Sequence, residues 1–132
     1  MTVTYVTALM RAYEPDTTTV KTVETRLEHF KRLLEAHVPL VVFVCQEYSE
    51  SVNALCVDLS HVRVNVMELE DTWTYNACLP WADKLPSVRN GPKDTFRFLA
   101  MINAKIEFVT AGVAQNPFCT TNFAWIDFNV FH

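Results

Sequence analysis

The feature that most constrains the fold is a continuous apolar run, L-V-V-F-V-C, at Leu40 to Cys45. A strand with one face in water alternates apolar and polar side chains, whereas a strand that is buried on both faces is apolar throughout. Strands of the second kind lie in parallel sheets whose two faces are covered by helices. The run therefore predicts a central strand of an α/β sheet.

The segments around this run have the order that a parallel sheet needs. Val3 to Leu9 is rich in β-branched and aromatic residues, which predicts a strand. Thr22 to His37 has apolar residues at helical spacing and ends before Pro39, which predicts a helix. Strand, helix and buried strand together make one βαβ unit, and the alternating segment Val62 to Met67 predicts a further strand.

The segments that connect these elements are less regular. Arg11 to Thr19 is polar with a turn at Pro15-Asp16, and Ser51 to Leu59 fits either a short helix or an irregular segment. Glu68 to Asn90 is expected to form a long crossover with one short helix at most. These connections leave the helices on the faces of an open sheet.

The C-terminal part predicts a helix followed by a strand. Asp94 to Ala114 forms an amphipathic stripe with Asp94 as its N-cap, and Asn116-Pro117 stops it. Asn122 to Val130 is apolar and predicts a buried strand that contains one carboxylate, Asp127. The fold class is thus an open, mostly parallel α/β sheet with flanking helices.

The composition restricts how such a fold can hold a ligand. Only two glycines occur, Gly91 and Gly112, whereas average usage would give roughly nine. A P-loop and a dinucleotide fingerprint each need several glycines close together, so both are excluded. Any nucleotide must therefore be held by side chains or by a metal ion.

Charge and hydropathy exclude further classes of protein. The net charge is −4 and Lys and Arg are not clustered, so no nucleic acid partner is expected. No apolar stretch approaches the roughly 20 residues that span a bilayer, and the N-terminus lacks a signal-like pattern. The four cysteines form no C-x-x-C pair. We therefore expect a single cytoplasmic domain over residues 1–132, with reduced thiols in or near its core.

Ligands of open α/β sheets bind beyond the carboxyl ends of the strands, which selects candidate residues. They follow the first, second and last strands: Met10, Arg11, Gln46, Glu47, Asp127 and Asn129. A buried carboxylate needs a partner, and Mg²⁺ or Mn²⁺ is one candidate partner for Asp127. In a strand, Asn129 points to the same side as Asp127. The alternatives are that Asp127 caps a turn or pairs with a basic residue.

Three further side chains have both a functional and a structural interpretation. Arg11 is either an anion or base contact or a solvated loop arginine. Lys105 lies at the edge of the helical stripe, where it either meets a ligand or keeps its head in water above a packed stem. Trp125 either stacks on a base or a sugar or packs in the core.

The C-terminal third carries a family signal. The stretch Ile102 to Phe128 contains N-A-K-I-E-F, N-P-F and F-A-W-I-D, and it resembles the HtrL/YibB-like proteins. The opening V-T-A-L-M-R and the segment P-L-V-V-F-V are similar to the same family. That family in turn resembles sugar-nucleotide transferases of the GT-A fold.

The resemblance implies a GT-A-like fold whose partner is a nucleotide sugar. In GT-A enzymes a strand ends in a D-x-D motif that binds Mn²⁺ or Mg²⁺ and the diphosphate. Asp127-Phe128-Asn129 is similar in position, with Asn129 in place of the second acid. By this resemblance Asp127 is a metal or ribose ligand, Met10 and Arg11 border the base, and Lys105 approaches the diphosphate or the sugar.

The chain ends directly after this motif, so the resemblance implies the N-terminal half of a GT-A-like fold, truncated after the D-x-D-like strand. Such a half is expected to bind a nucleotide sugar without turning it over alone, and its catalytic residues stay unassigned. Truncation would expose an apolar face, so self-association is expected. The alternative is a non-catalytic α/β interaction module, which Asn129 and the missing half favour. The absence of C-x-x-C disfavours an oxidoreductase.

Overall fold

The computed structural model describes residues 2–13 and 22–131, and its centre is a sheet of four strands. The strands are β1 (Val3–Leu9), β2 (Leu40–Val44), β3 (Val62–Val66) and β4 (Asn122–Trp125). Their order is β3-β2-β1-β4, and every neighbouring pair is parallel. The α/β class and the open parallel sheet predicted from the sequence are confirmed. The predicted turn at Pro15-Asp16 lies outside the described residues.

Helices connect the strands on both faces of the sheet. They are α1 (Val23–Glu35), α2 (Gln46–Cys56), α3 (Trp73–Cys78), α4 (Phe96–Asn103) and α5 (Lys105–Gln115), with short 3₁₀ turns at Leu69–Asp71 and Leu79–Trp81. The segment Ser51 to Leu59, which fitted either a helix or an irregular segment, is helical as far as Cys56, and this helix begins earlier, at Gln46 directly after β2. The crossover between β3 and α4 contains one short α-helix, as the sequence predicted.

The buried strand β2 separates two apolar layers. Val42 packs with Phe30 in the layer between the sheet and helices α1 and α2. Val41 and Phe43 point the other way and pack with Phe108 of α5. Every residue of β2 is buried, which confirms the interpretation of the apolar run as a two-sided strand.

The long helix predicted from Asp94 to Ala114 is wrong as a single element, because it is broken at Ala104. The Asn103 side chain, in the last residue of α4, donates to the carbonyl of Leu99 at 2.7 Å. Ala104 has φ −80° and ψ −4°, and its N–H shares the carbonyls of Ala100 and Met101. This tightening of the last turn separates α4 from α5.

The N-cap of α4 is Thr95 and not Asp94. Its hydroxyl accepts the N–H of Phe98 at 3.1 Å and donates to the carbonyl of Ala12 at 2.6 Å. Thr95→Ala is therefore expected to lower the free energy of unfolding by about 1 kcal/mol, measured by urea unfolding. Thr95→Ser keeps the hydroxyl and is the control; an equal loss in both variants would contradict the capping role.

The last predicted strand, Asn122 to Val130, is too long, because β4 ends at Trp125. Phe128 is 4% exposed and stacks on Phe30 of α1 with ring centroids 4.2 Å apart. This contact draws the chain over the end of β1, and Val130 then donates to the carbonyl of Asp127 in a turn. Asp127 and Asn129 therefore do not share the face of one strand.

All four cysteines are free thiols, but they differ in burial. Cys45 and Cys56 are buried, and burial raises the pKa of both thiols, that of Cys56 to about 11. Cys78 is half-buried and Cys119 is exposed. The expectation of thiols in or near the core therefore fits the first two, and Cys119 departs from it.

Candidate ligand-binding site

A cleft of about 450 Å³ lies beyond the carboxyl ends of β1 and β4. The strand order reverses between these two strands, because β2 and β3 add to one side of β1 and β4 to the other. Open α/β sheets bind ligands at such a switch point, where the connections on either side diverge. Of the residues predicted from the sequence, five line this cleft: Met10, Lys105, Trp125, Asp127 and Asn129.

The carboxylate of Asp127 is the centre of a compact polar cluster with Lys105 and Trp125. Its Oδ1 accepts the Lys105 ammonium at 3.1 Å and the Trp125 indole N–H at 2.9 Å. The Lys105 Nζ also lies 5.4 Å from the centroid of the Trp125 ring, within cation–π range. We call these three residues the Lys105–Asp127–Trp125 cluster.

The structure corrects the expectation that Asp127 is buried. Its side chain is 60% exposed, so desolvation does not by itself demand a metal ion. Phe128, next to Asp127, takes the buried position, which leaves the carboxylate at the rim of the cleft. The alternative in which Asp127 pairs with a basic residue is the arrangement that the structure has.

A second group of lining residues combines aromatic rings with positive charge. Tyr13 and Phe98 stack with ring centroids 5.6 Å apart. The Arg26 guanidinium lies 5.2 Å from the Tyr13 ring, and the Lys93 Nζ lies 5.9 Å from the Phe98 ring. Burial raises the pKa of Tyr13, and the nearby guanidinium of Arg26 opposes that rise. We call these four residues the aromatic–cation group.

Arg26 differs from the other members of this group because one of its hydrogen-bond donors, Nε, is unsatisfied among the described residues. Its Nε is buried and has no hydrogen-bond partner among the described residues. A buried donor without a partner costs free energy, and an anionic ligand oxygen in the cleft would satisfy it. The arrangement therefore suits an anion at this position.

Arg11 is not among the residues that line the cleft. Its carbonyl accepts the Arg97 Nε–H at 2.8 Å, and Arg97 also pairs with the Glu70 carboxylate. The hydrogen bond from Arg97 holds the pKa of Glu70 below its usual value. These contacts fix the backbone of the loop after β1 at Arg11, whose neighbours Met10 and Ala12 line the cleft.

The other predicted positions divide between the cleft and the rest of the fold. Met10 forms part of the cleft wall but is only 1% exposed, and it packs in the layer beneath α5. The Trp125 ring lies 6.4 Å from Phe108, as the core-packing alternative for this residue predicts. Gln46 begins α2 outside the cleft, where its N–H donates to Glu68 at 2.8 Å.

The sequence interpretation missed the whole aromatic–cation group. Arg26 had a usable signal, because it lies one turn before Phe30 on the buried side of α1, where a charged residue is unusual. Tyr13, Lys93 and Phe98 had none, since only the docking of α4 against the loop after β1 brings them together.

The residues at the cleft fit a divalent metal ion poorly. Among the described residues, no three His, Cys, Asp or Glu side chains are grouped as metal ligands. Asp127 and Asn129 offer a carboxylate and an amide, but the Lys105 ammonium lies 3.1 Å from the carboxylate. A dication at Asp127 would have to displace that ammonium, because like charges at such distances repel.

Comparisons with models of protein families, with curated proteins and with solved structures found no match to this chain. Within residues 2–13 and 22–131, no helix is long and apolar enough to cross a membrane.

Proposed function

We propose that this chain is the nucleotide-sugar-binding domain of a glycosyltransferase-like protein, and that the nucleotide sugar binds in the cleft. The observation that carries this proposal is its charge: Arg26, Lys93 and Lys105 line the cleft against one carboxylate, Asp127. The chain as a whole has a net charge of −4, so positive charge is concentrated here. A concave site with an excess of positive charge attracts anions such as a diphosphate.

The other lining groups suit the uncharged parts of a nucleotide sugar. Tyr13 and Phe98 offer aromatic surface beside two cations, which favours a planar base with a phosphate attached. The Asp127 carboxylate and the Asn129 amide lie at the same cleft. The carboxylate can accept hydrogen bonds from sugar hydroxyls, and the amide can both donate and accept them. Because both glycines lie elsewhere, side chains would hold the phosphates.

The resemblance of residues 102–128 to the HtrL/YibB-like proteins supports the same class of ligand. The reaction of the whole protein would be the transfer of a sugar from a nucleoside diphosphate to an acceptor. The Mn²⁺ or Mg²⁺ that the resemblance implies at Asp127 and Asn129 is no part of this proposal. Self-association stays a prediction. Sedimentation velocity would test it by measuring the oligomeric state of the chain in solution.

Calorimetric titration with UDP-, GDP- and ADP-sugars, each with EDTA and each with Mn²⁺, tests the proposal. A bound nucleotide sugar also raises the melting temperature, since a ligand at a hundred times its Kd stabilises by about 2.7 kcal/mol. Arg26→Met is expected to weaken binding about tenfold, because a charge-assisted hydrogen bond is lost. Arg32→Met is the matched control, an exposed arginine further along α1.

Two outcomes would contradict the proposal. One is a folded sample that binds none of these nucleotide sugars in either condition. The other is binding that Arg26→Met and Arg32→Met weaken equally, which would place the ligand outside the cleft. The first result favours the alternative, a non-catalytic interaction module.

A further inference from the structure

The Asp127 carboxylate, which a D-x-D-like motif would use to bind a metal ion, already accepts hydrogen bonds from other residues. Its Oδ1 accepts two donors, the Lys105 ammonium and the Trp125 indole N–H. Lys105 is the first residue of α5, so the start of this helix sets the position of its Cα atom beside the cleft. Its side chain is 32% exposed, which keeps the ammonium within reach of a ligand in the cleft.

We infer that the cleft binds the phosphate groups of its ligand without a divalent metal ion, and that Lys105 supplies charge which a metal would otherwise supply. Asp127 then has a different role: its carboxylate holds the Lys105 ammonium at the cleft wall until an anion takes that ammonium over. This inference rests on the proposed function only in taking the ligand to be anionic.

The charges around the cleft make this exchange physically reasonable. Lys105 and Asp127 form an exposed pair, and exposed pairs are weakly coupled because water screens them. A diphosphate carries more negative charge in total than the single carboxylate of Asp127. Arg26 and Lys93, which also line the cleft, attract the diphosphate further. An arriving phosphate group therefore competes effectively for the Lys105 ammonium.

The two roles of Asp127 predict opposite effects of one substitution. Asp127→Asn keeps a carbonyl oxygen that accepts the Trp125 N–H, so the local structure is preserved. If Asp127 is a metal ligand, this change weakens phosphate binding and abolishes its dependence on Mn²⁺. If Asp127 competes for Lys105, the same change frees the ammonium and strengthens phosphate binding.

The experiment titrates the full chain with inorganic pyrophosphate and with UDP in EDTA, and repeats both titrations with Mn²⁺. Asp127→Asn is expected to tighten pyrophosphate binding about twofold to fivefold, the range that exposed pairs support. Lys105→Met is expected to weaken it about tenfold. Added Mn²⁺ is expected not to strengthen binding relative to EDTA, because Mn²⁺ complexes pyrophosphate in solution and lowers its negative charge. The changes in pyrophosphate affinity caused by Asp127→Asn and Lys105→Met should become smaller at high salt, because salt screens these charges.

A second exposed ion pair supplies matched controls. Lys31 and Glu28 are 2.7 Å apart on α1 and do not line the cleft, so Glu28→Gln and Lys31→Met should leave pyrophosphate affinity unchanged. Circular dichroism of each variant checks that it is folded.

Three results overturn the inference. If binding requires Mn²⁺ and Asp127→Asn loses it, the cleft uses a metal, and the proposed function stands. If UDP binds but neither Lys105→Met nor Asp127→Asn changes its affinity, the pair has no part in binding, and the proposed function again stands. If neither pyrophosphate nor any nucleotide sugar binds the folded chain in either condition, both proposals fail.

Discussion

Phe30→Ala is expected to lower the free energy of unfolding by about 3 to 5 kcal/mol, the usual cost of removing a buried phenyl ring. Phe30 is fully buried on α1, and its ring stacks on that of Phe128 with centroids 4.2 Å apart. Its loss leaves a cavity between α1 and the sheet, because Val42 and Leu9 pack against the same space. Urea unfolding measures the change.

Phe131→Ala is the control, because Phe131 is 43% exposed and lies three residues after Phe128. It should cost clearly less than Phe30→Ala, since a large part of the Phe131 ring is already in contact with water. Equal losses in the two variants would contradict the assignment of Phe30 as a central core residue.

Phe30 also links the core to the cleft. Phe128 is held against α1 by this stacking contact, and the residues on either side of it, Asp127 and Asn129, line the cleft. Loosening Phe128 should therefore disturb both of them. We expect the ligand affinity of Phe30→Ala to fall even where the variant is fully folded, as calorimetry below its melting temperature would measure.

The fold was predictable from the sequence because its strongest signals are local. The apolar run at β2 needs no tertiary information to indicate a strand with two buried faces, and the helical stripe of α1 is equally clear. The break at Ala104 was not predicted, because neither Gly nor Pro marks this position in the sequence. The end of β4 depends on a distant partner, Phe30.

The candidate site was predictable only in part, for a related reason. The rule that ligands bind beyond the carboxyl ends of strands placed Met10, Asp127 and Asn129 at the right edge of the sheet. That rule says nothing about helices that reach the same edge from elsewhere in the chain. Phe98 therefore could not be predicted, because it reaches this edge only where α4 packs against the loop after β1.

The second large effect is expected at Gly112, where α5 crosses the sheet. A Cβ atom at this position would lie 2.8 Å from Cγ2 of Val6, a fully buried residue of β1. Real Cβ atoms do not approach another carbon so closely, and the β-branched Val6 has little freedom to turn away. We expect Gly112→Leu to lower the free energy of unfolding by about 3 kcal/mol, measured by urea unfolding.

Gly112→Ala separates the steric effect from the backbone effect. Alanine favours a helix over glycine by about 1 kcal/mol, while overpacking costs about 1 to 3 kcal/mol, so a net loss near 1 kcal/mol is expected. Gly91→Ala is the matched control, because nothing lies within 4 Å of its added Cβ and its φ is not positive. That variant should keep or slightly raise the stability.

A double-mutant cycle decides whether Val6 is the cause. In a Val6→Ala background the methyl group that meets the new Cβ is gone, so Gly112→Ala should cost less there than in the native chain. With the clash removed, the helix preference of alanine should even make the substitution favourable. If Gly112→Ala costs the same in both backgrounds, the close approach of α5 to β1 does not explain the glycine.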